Sequence, residues 1–211
     1  MNTKRNIQEA LTVILASLIL SLIVSFDNKP LIYYASLSFL IIIGSNVLIK
    51  KAVGYFFEVN VRTSFWKMYQ FGFRKDKHFK FPLPMVWFPI LLAIFSRGII
   101  WWFAILEFDV EAKTERVSRR HGLYRFSEVT EWHMGIIAMW GIVINFLLAV
   151  VGYLLGYEFF AKLSIYYAVW SIIPASSLDG TKILFANKGL WLICAIVAII
   201  FLGWGLVIKP F

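Results

Sequence analysis

Long apolar runs, each closed by a charge or a turn signal, organise this chain. The first, Ala10 to Phe26, carries no charge and stops at Asp27-Asn28-Lys29-Pro30. Leu31 to Ile49 follows and ends at Lys50-Lys51; Gly135 to Tyr157, Phe159 to Ala175 and Gly189 to Ile208 complete the set. A bilayer-crossing helix needs roughly 20 predominantly apolar residues, so the pattern predicts about five spans. The start Met1-Asn2-Thr3-Lys4-Arg5 looks like the basic head of a signal peptide. The apolar run behind it is long and has no small-x-small cleavage pattern, so it reads as a span.

The stretch from Phe81 to Leu106 breaks the pattern. Pro82, Pro84 and Pro89 crowd its start, and Ser96-Arg97-Gly98 interrupts its middle. An arginine near the bilayer centre costs about 2.5–3.5 kcal/mol on insertion scales. Further on, Ile105, Glu107, Asp109 and Glu111 alternate with Leu106, Phe108 and Val110, the period of two that marks a strand. The pattern therefore predicts a re-entrant or interfacial segment over Pro84–Phe95 and a strand over Gly98–Glu111. The expected class is an all-α polytopic membrane protein, residues 1–211 as one domain. A re-entrant and β element over 84–111 is inserted between the second and third spans.

Composition agrees with that class: 60% of the 211 residues are apolar and 16% charged, against about 25% charged in soluble domains. This excludes a soluble enzyme and a disordered tail. The net charge of +9 points to membrane lipids as partners rather than to nucleic acid, because cationic loops gather on the cytoplasmic face. Lys50, Lys51, Arg62, Lys67, Arg74, Lys75, Lys77 and Lys80 crowd the segment 50–82, and Lys113, Arg116, Arg119, Arg120 and Arg125 follow. Both segments are expected in the cytoplasm with the N-terminus, and the C-terminus outside, in a multi-pass protein of the cell membrane. The single cysteine, Cys194, permits no internal disulfide.

Polar groups inside apolar runs are costly when unpaired, so they are the first candidates for a binding site. Asn46, Asn145, Lys162 and Asp179 qualify. The plainest roles for them are helix–helix hydrogen bonding for the asparagines, interfacial snorkelling for Lys162, and a turn or helix cap for Asp179. The plentiful aromatics, including Phe65-Trp66, Trp87-Phe88 and Trp101-Trp102-Phe103, read as an interfacial belt.

Two stretches carry a family resemblance. Ile136 to Leu148, with Gly141 and Asn145, is similar to an Ala-Gly-Pro-x-x-Asn-x-x-Leu helix, and Ser171 to Ile183 contains Pro174 and Leu178-Asp179-Gly180. Together they resemble the site-2 protease family of intramembrane zinc metalloproteases, in its short archaeal form, over roughly residues 30–208. Leu184 to Trp191, Thr130-Glu131-Trp132 and the strand before the asparagine helix suit the same resemblance. It implies two zinc ligands and a general base from His-Glu-x-x-His, with a third ligand from the Leu-Asp-Gly aspartate. Counted back from Gly54-Tyr55, that motif falls on Ile42-Ile43-Gly44-Ser45-Asn46, where both histidines and the glutamate are missing. Met139-Trp140 and Ser176-Ser177 depart from the family as well. His78, His121 and His133 form no His-x-x-x-His pair, and Glu131-Trp132-His133 reads as an interfacial group.

The resemblance therefore implies a pseudoprotease. Its degenerate site is expected at Ile42, Ile43, Asn46 and Asp179, with Asn145 matching the family's asparagine. No zinc or other cofactor is expected, and Asn46, Asn145 and Asp179 are the candidate binding residues. The expected function is non-catalytic: binding a transmembrane or extended partner segment, or serving as a subunit of a membrane complex. An active metalloprotease with an atypical metal site, and a small transporter or channel, are the alternatives.

Overall fold

The computed structural model describes residues 3–26, 30–70, 78–113 and 129–208. His121 and the cations Arg74, Lys75, Lys77, Arg116, Arg119, Arg120 and Arg125 lie outside them, as does the expected turn at Asp27-Asn28-Lys29. The elements are α1 (Thr3–Val24), α2 (Leu31–Phe56), β1 (Val59–Phe65), β2 (Lys67–Gln70), β3 (His78–Pro84) and α3 (Trp87–Phe95). They continue as β4 (Leu106–Ala112), α4 (Glu131–Leu154), α5 (Glu158–Ser171), α6 (Asp179–Ala186) and α7 (Lys188–Val207). Four helices, α1, α2, α4 and α7, are long and apolar enough to cross a membrane.

Several expected boundaries move. The run Phe159–Ala175 forms a helix of only 14 residues, because Pro174 forbids its continuation. At 1.5 Å per residue it reaches about 21 Å, short of a core of about 30 Å. The expected five spans thus become four long helices and a shorter one. The second helix runs past Ile49 to Phe56, carried on by Ala52-Val53-Gly54-Tyr55-Phe56, so Lys50 and Lys51 lie within it. The strand expected over Gly98–Glu111 occupies only Leu106–Ala112. The basic segment 50–82 holds β1, β2 and the start of β3, which the charge pattern had hidden.

β1 pairs antiparallel with β4, from Val59 opposite Ala112 to Phe65 opposite Leu106. β2 pairs with β3 in a second, shorter ladder. Trp66 joins the two ladders: its N–H donates to Ile105 O and its carbonyl accepts from Met85 N–H. α3 ends where Gly98 N–H closes back on Ala93 O, with Arg97 and Gly98 both in the left-handed region. The arginine that looked expensive in mid-bilayer is thus an exposed helix-end residue.

The two larger apolar cores lie between the helices. One joins α1, α2, α3 and α5 through Leu20, Phe39, Ile42, Ile43, Phe103 and Leu163, with Phe39 edge-on to Phe103 at 5.1 Å. The other joins β1 and β4 to α4, α5, α6 and α7 through Val59, Phe108, Ile137, Ile142 and Ile183. In lipid the helices gain little from hydrophobicity against each other, so close packing across small residues decides their arrangement. α4 supplies these as Gly135 against Ala186, Gly141 against Lys50 and Gly152 against Phe160. Aromatics expected at the interface also pack inward. Trp66 is buried and stacks on Trp102, whose ring meets Phe88 and Trp170 at 4.9 and 4.4 Å.

Candidate functional site, a buried ion pair between three helices

Lys50 and Asp179 are both buried, and Lys50 Nζ lies 2.6 Å from Asp179 Oδ2. Three backbone features build this contact. Lys50 is on the inward face of α2, one turn after Asn46, so the two side chains share a face. Gly141 on α4 has no Cβ, and the Lys50 stem and the Asn46 amide occupy that space. Asp179 opens α6, and Gly180 lets that helix press directly on the carbonyls of Ile172 and Ile173. An alanine there would meet that backbone, which cannot step aside. The aspartate expected to cap a helix end makes no such bond and turns its carboxylate to Lys50 instead.

Asn46 Nδ2 donates to Gly141 O at 2.7 Å, which is the helix–helix bond expected of an intramembrane asparagine. In α4 that carbonyl faces the N–H of Asn145, so Asn46 sits against the Asn145 turn. The Asn145 side chain itself has no partner for either amide atom among the described residues. Its backbone carbonyl instead accepts from Ser164 Oγ of α5 at 2.7 Å. Asp179 Oδ1 and Thr181 Oγ1 are likewise buried without a partner. Asn46 and Asp179 therefore converge through Lys50 and Gly141, with Asn145 on the adjoining turn. Ile42 and Ile43 do not join them; they lie in the first apolar core beside Phe39.

The ladder closes the site from one side. The Phe108 ring of β4 carries Lys50 Nζ at 4.7 Å and Lys182 Nζ at 3.6 Å. Such cation–π contacts are worth about 2 kcal/mol when desolvated. Lys182 Nζ also donates to Phe108 O, and Ser177 Oγ donates to the buried carboxylate of Glu107. Burial pushes the Lys182 ammonium down to about 8, against the opposing pull of Asp179. Burial also raises the Glu107 carboxyl above its ordinary range, while the Ser177 bond works the other way. Sequence reasoning missed Lys50, Lys182, Glu107 and Phe108; for Lys50 the signal was its position four residues after Asn46.

This donor set does not fit a divalent metal. An ammonium holds the one carboxylate of the helix face, and Asn46 directs its N–H₂ group toward a carbonyl. Among the described residues, no three His, Cys, Asp or Glu side chains gather as a metal site. His133 is edge-on to Phe57 at 4.9 Å and bonded to Thr130. Lys162 Nζ donates to Ile208 O at 3.2 Å, just past the end of α7. That places a cation at the negative end of the helix dipole.

No family model matches this chain. Neither the curated proteins nor the solved structures contain a match.

Proposed function

We propose that the chain is a non-catalytic, site-2-protease-like membrane protein whose metal centre has been replaced by an internal cation. The observation that supports this is the Lys50–Asp179 ion pair, with Asn46 one turn earlier on the same face. Set on Asn46-Val47-Leu48-Ile49-Lys50, the His-Glu-x-x-His motif puts Asn46 and Lys50 where the histidines would stand and Val47 where the glutamate would. This register lies four residues later than the one counted from Gly54-Tyr55. The Leu-Asp-Gly aspartate then faces it, as a third ligand would. A fixed ammonium neutralises the buried carboxylate that zinc would otherwise compensate. It provides no Lewis acid and no metal-activated water, so metal-dependent hydrolysis has no agent.

What is left is a helical bundle in the membrane, which would hold a partner segment or another subunit. In this reading the N-terminus and the 50–82 and 113–125 segments face the cytoplasm, beside anionic lipid. The test is to rebuild the site. Asn46→His, Val47→Glu and Lys50→His together should bind about one zinc per chain, and adding Asp179→Ala should remove it. Elemental analysis of the purified, folded variants measures this. A folded triple variant without zinc overturns the reading, as does a wild-type protein that carries stoichiometric zinc lost on Asp179→Ala.

A further inference from the structure

An apolar groove of about 390 Å³ runs between α5, the 99–101 segment and Leu202 of α7. Tyr166, Val169, Trp170 and Ile173 line it at i, i+3, i+4 and i+7, the spacing of one helical face. The Trp101 ring stands against Tyr166 at 6.1 Å and forms another wall. One turn before Tyr166 comes Lys162, whose Nζ lies 5.9 Å from the Tyr166 ring. The groove therefore has an apolar length with a cation beyond one end.

That cation is short of an anion. Lys162 is 8% exposed, and an ammonium has three protons to donate. Its Nζ donates to Ile208 O at 3.2 Å, and among the described residues no carboxylate pairs with it. Lys50, buried to a similar degree, has Asp179. Cations held within a membrane protein ordinarily find a counter-charge or backbone carbonyls, and Lys162 has only the second.

The dimensions select the occupant. From Lys162 to Ile173 the helical rise amounts to about 16 Å, half of a hydrocarbon core of about 30 Å. That is the depth of one leaflet. Lys162 meets the residue just past α7, where that span ends, so the cation belongs at headgroup level. A partner helix about 10 Å across would need roughly three times the volume of the groove over that length. One extended acyl chain fits where a helix does not.

We propose that this groove binds one acyl chain of an anionic phospholipid, with the lipid phosphate on Lys162 and the second chain left in the bilayer. The rings of Trp101, Tyr166 and Trp170 give the chain flat apolar walls, and the phosphate takes up the ammonium protons that Ile208 O leaves. The site shares no residue with the Lys50–Asp179 pair, so it stands whether or not the emptied-protease reading does.

Native mass spectrometry tests this on the full chain, delipidated in detergent and titrated with phosphatidylglycerol or with phosphatidylcholine of the same chains. Phosphatidylglycerol should give a single adduct, favoured about tenfold over phosphatidylcholine, whose choline offsets its phosphate; one charged hydrogen bond is worth about that much. Lys162→Met, which keeps the stem, should remove the preference, and Lys162→Arg should retain it. Ile100→Trp, which narrows the groove, should weaken both lipids severalfold, whereas Leu37→Trp on the exposed face of α2 should weaken neither. Equal binding of the two lipids, a preference that survives Lys162→Met, or no effect of Ile100→Trp overturns the proposal. Oleate bound more tightly than phosphatidylglycerol overturns it too, because the groove then takes a free carboxylate. So does a lipid-free dimer that persists through the titration, because a second copy then covers the groove. The zinc experiment reads a different set of residues, so either result can fail alone.

Discussion

Lys50 does three jobs with one side chain: its stem fills the space over Gly141, its ammonium neutralises Asp179, and its charge faces the Phe108 ring. A buried pair of this kind is conditional. Removing one partner strands the other and costs about 3–5 kcal/mol, whereas replacing both by apolar groups is often neutral or better. Lys50→Met and Asp179→Leu should each lower stability by about that amount, and the double variant should regain most of it. Denaturant unfolding in micelles, followed by tryptophan fluorescence, measures the cycle. Additive losses in the double variant would mean that the two groups do not compensate each other. The sequence made Asn46 and Asp179 visible because each is polar within an apolar run. It hid Lys50, because Lys50-Lys51 looks like a span boundary. The two lysines in fact point about 100° apart, one inward to Asp179 and the other outward to Glu9.

At the scale of elements, the long helices were legible because a continuous apolar run of some 20 residues admits few other forms in a membrane. The strands were harder. Val59, Val61 and Thr63 do alternate with Asn60, Arg62 and Ser64, but the alternation sits among cations that suggested a surface segment. What no pattern revealed is the contact between elements, and glycines report it best. In α2, nothing lies within 4 Å of the space a Gly44 Cβ would fill. Gly44→Ala should therefore stabilise the helix by about 0.5–1 kcal/mol. Gly180→Ala should do the opposite, by about 1–3 kcal/mol or more, because its methyl would meet the Ile172 and Ile173 backbone. Thermal unfolding of the two variants side by side gives the contrast. A harmless Gly180→Ala would show that α6 is not pressed against the preceding turn, and the support for Asp179 would fall with it.

At the scale of the whole molecule, the contacts fix which ends lie together. Glu9 meets Lys51, so the start of α1 lies at the end of α2; Gly135 meets Ala186, which brings the start of α4 to the end of α6. Lys162 meets Ile208, so α7 finishes beside the start of α5. The Lys50–Asp179 and Lys51–Glu9 pairs thus share the end of the bundle where α1 begins and α2 finishes, and α7 ends elsewhere. Under the proposed orientation that shared end faces the cytoplasm, where lysine and arginine are retained. The expectation can be read from single cysteines introduced into a Cys194→Ala background. Phe26→Cys, at the end of the α1 run, should react with a membrane-impermeant maleimide on intact cells. Lys113→Cys, just after β4, should react only after lysis. Labelling of Lys113→Cys from outside would invert the protein and place the Lys50–Asp179 end on the outer face. Equal labelling of both positions on intact cells would be incompatible with α1 crossing the membrane at all.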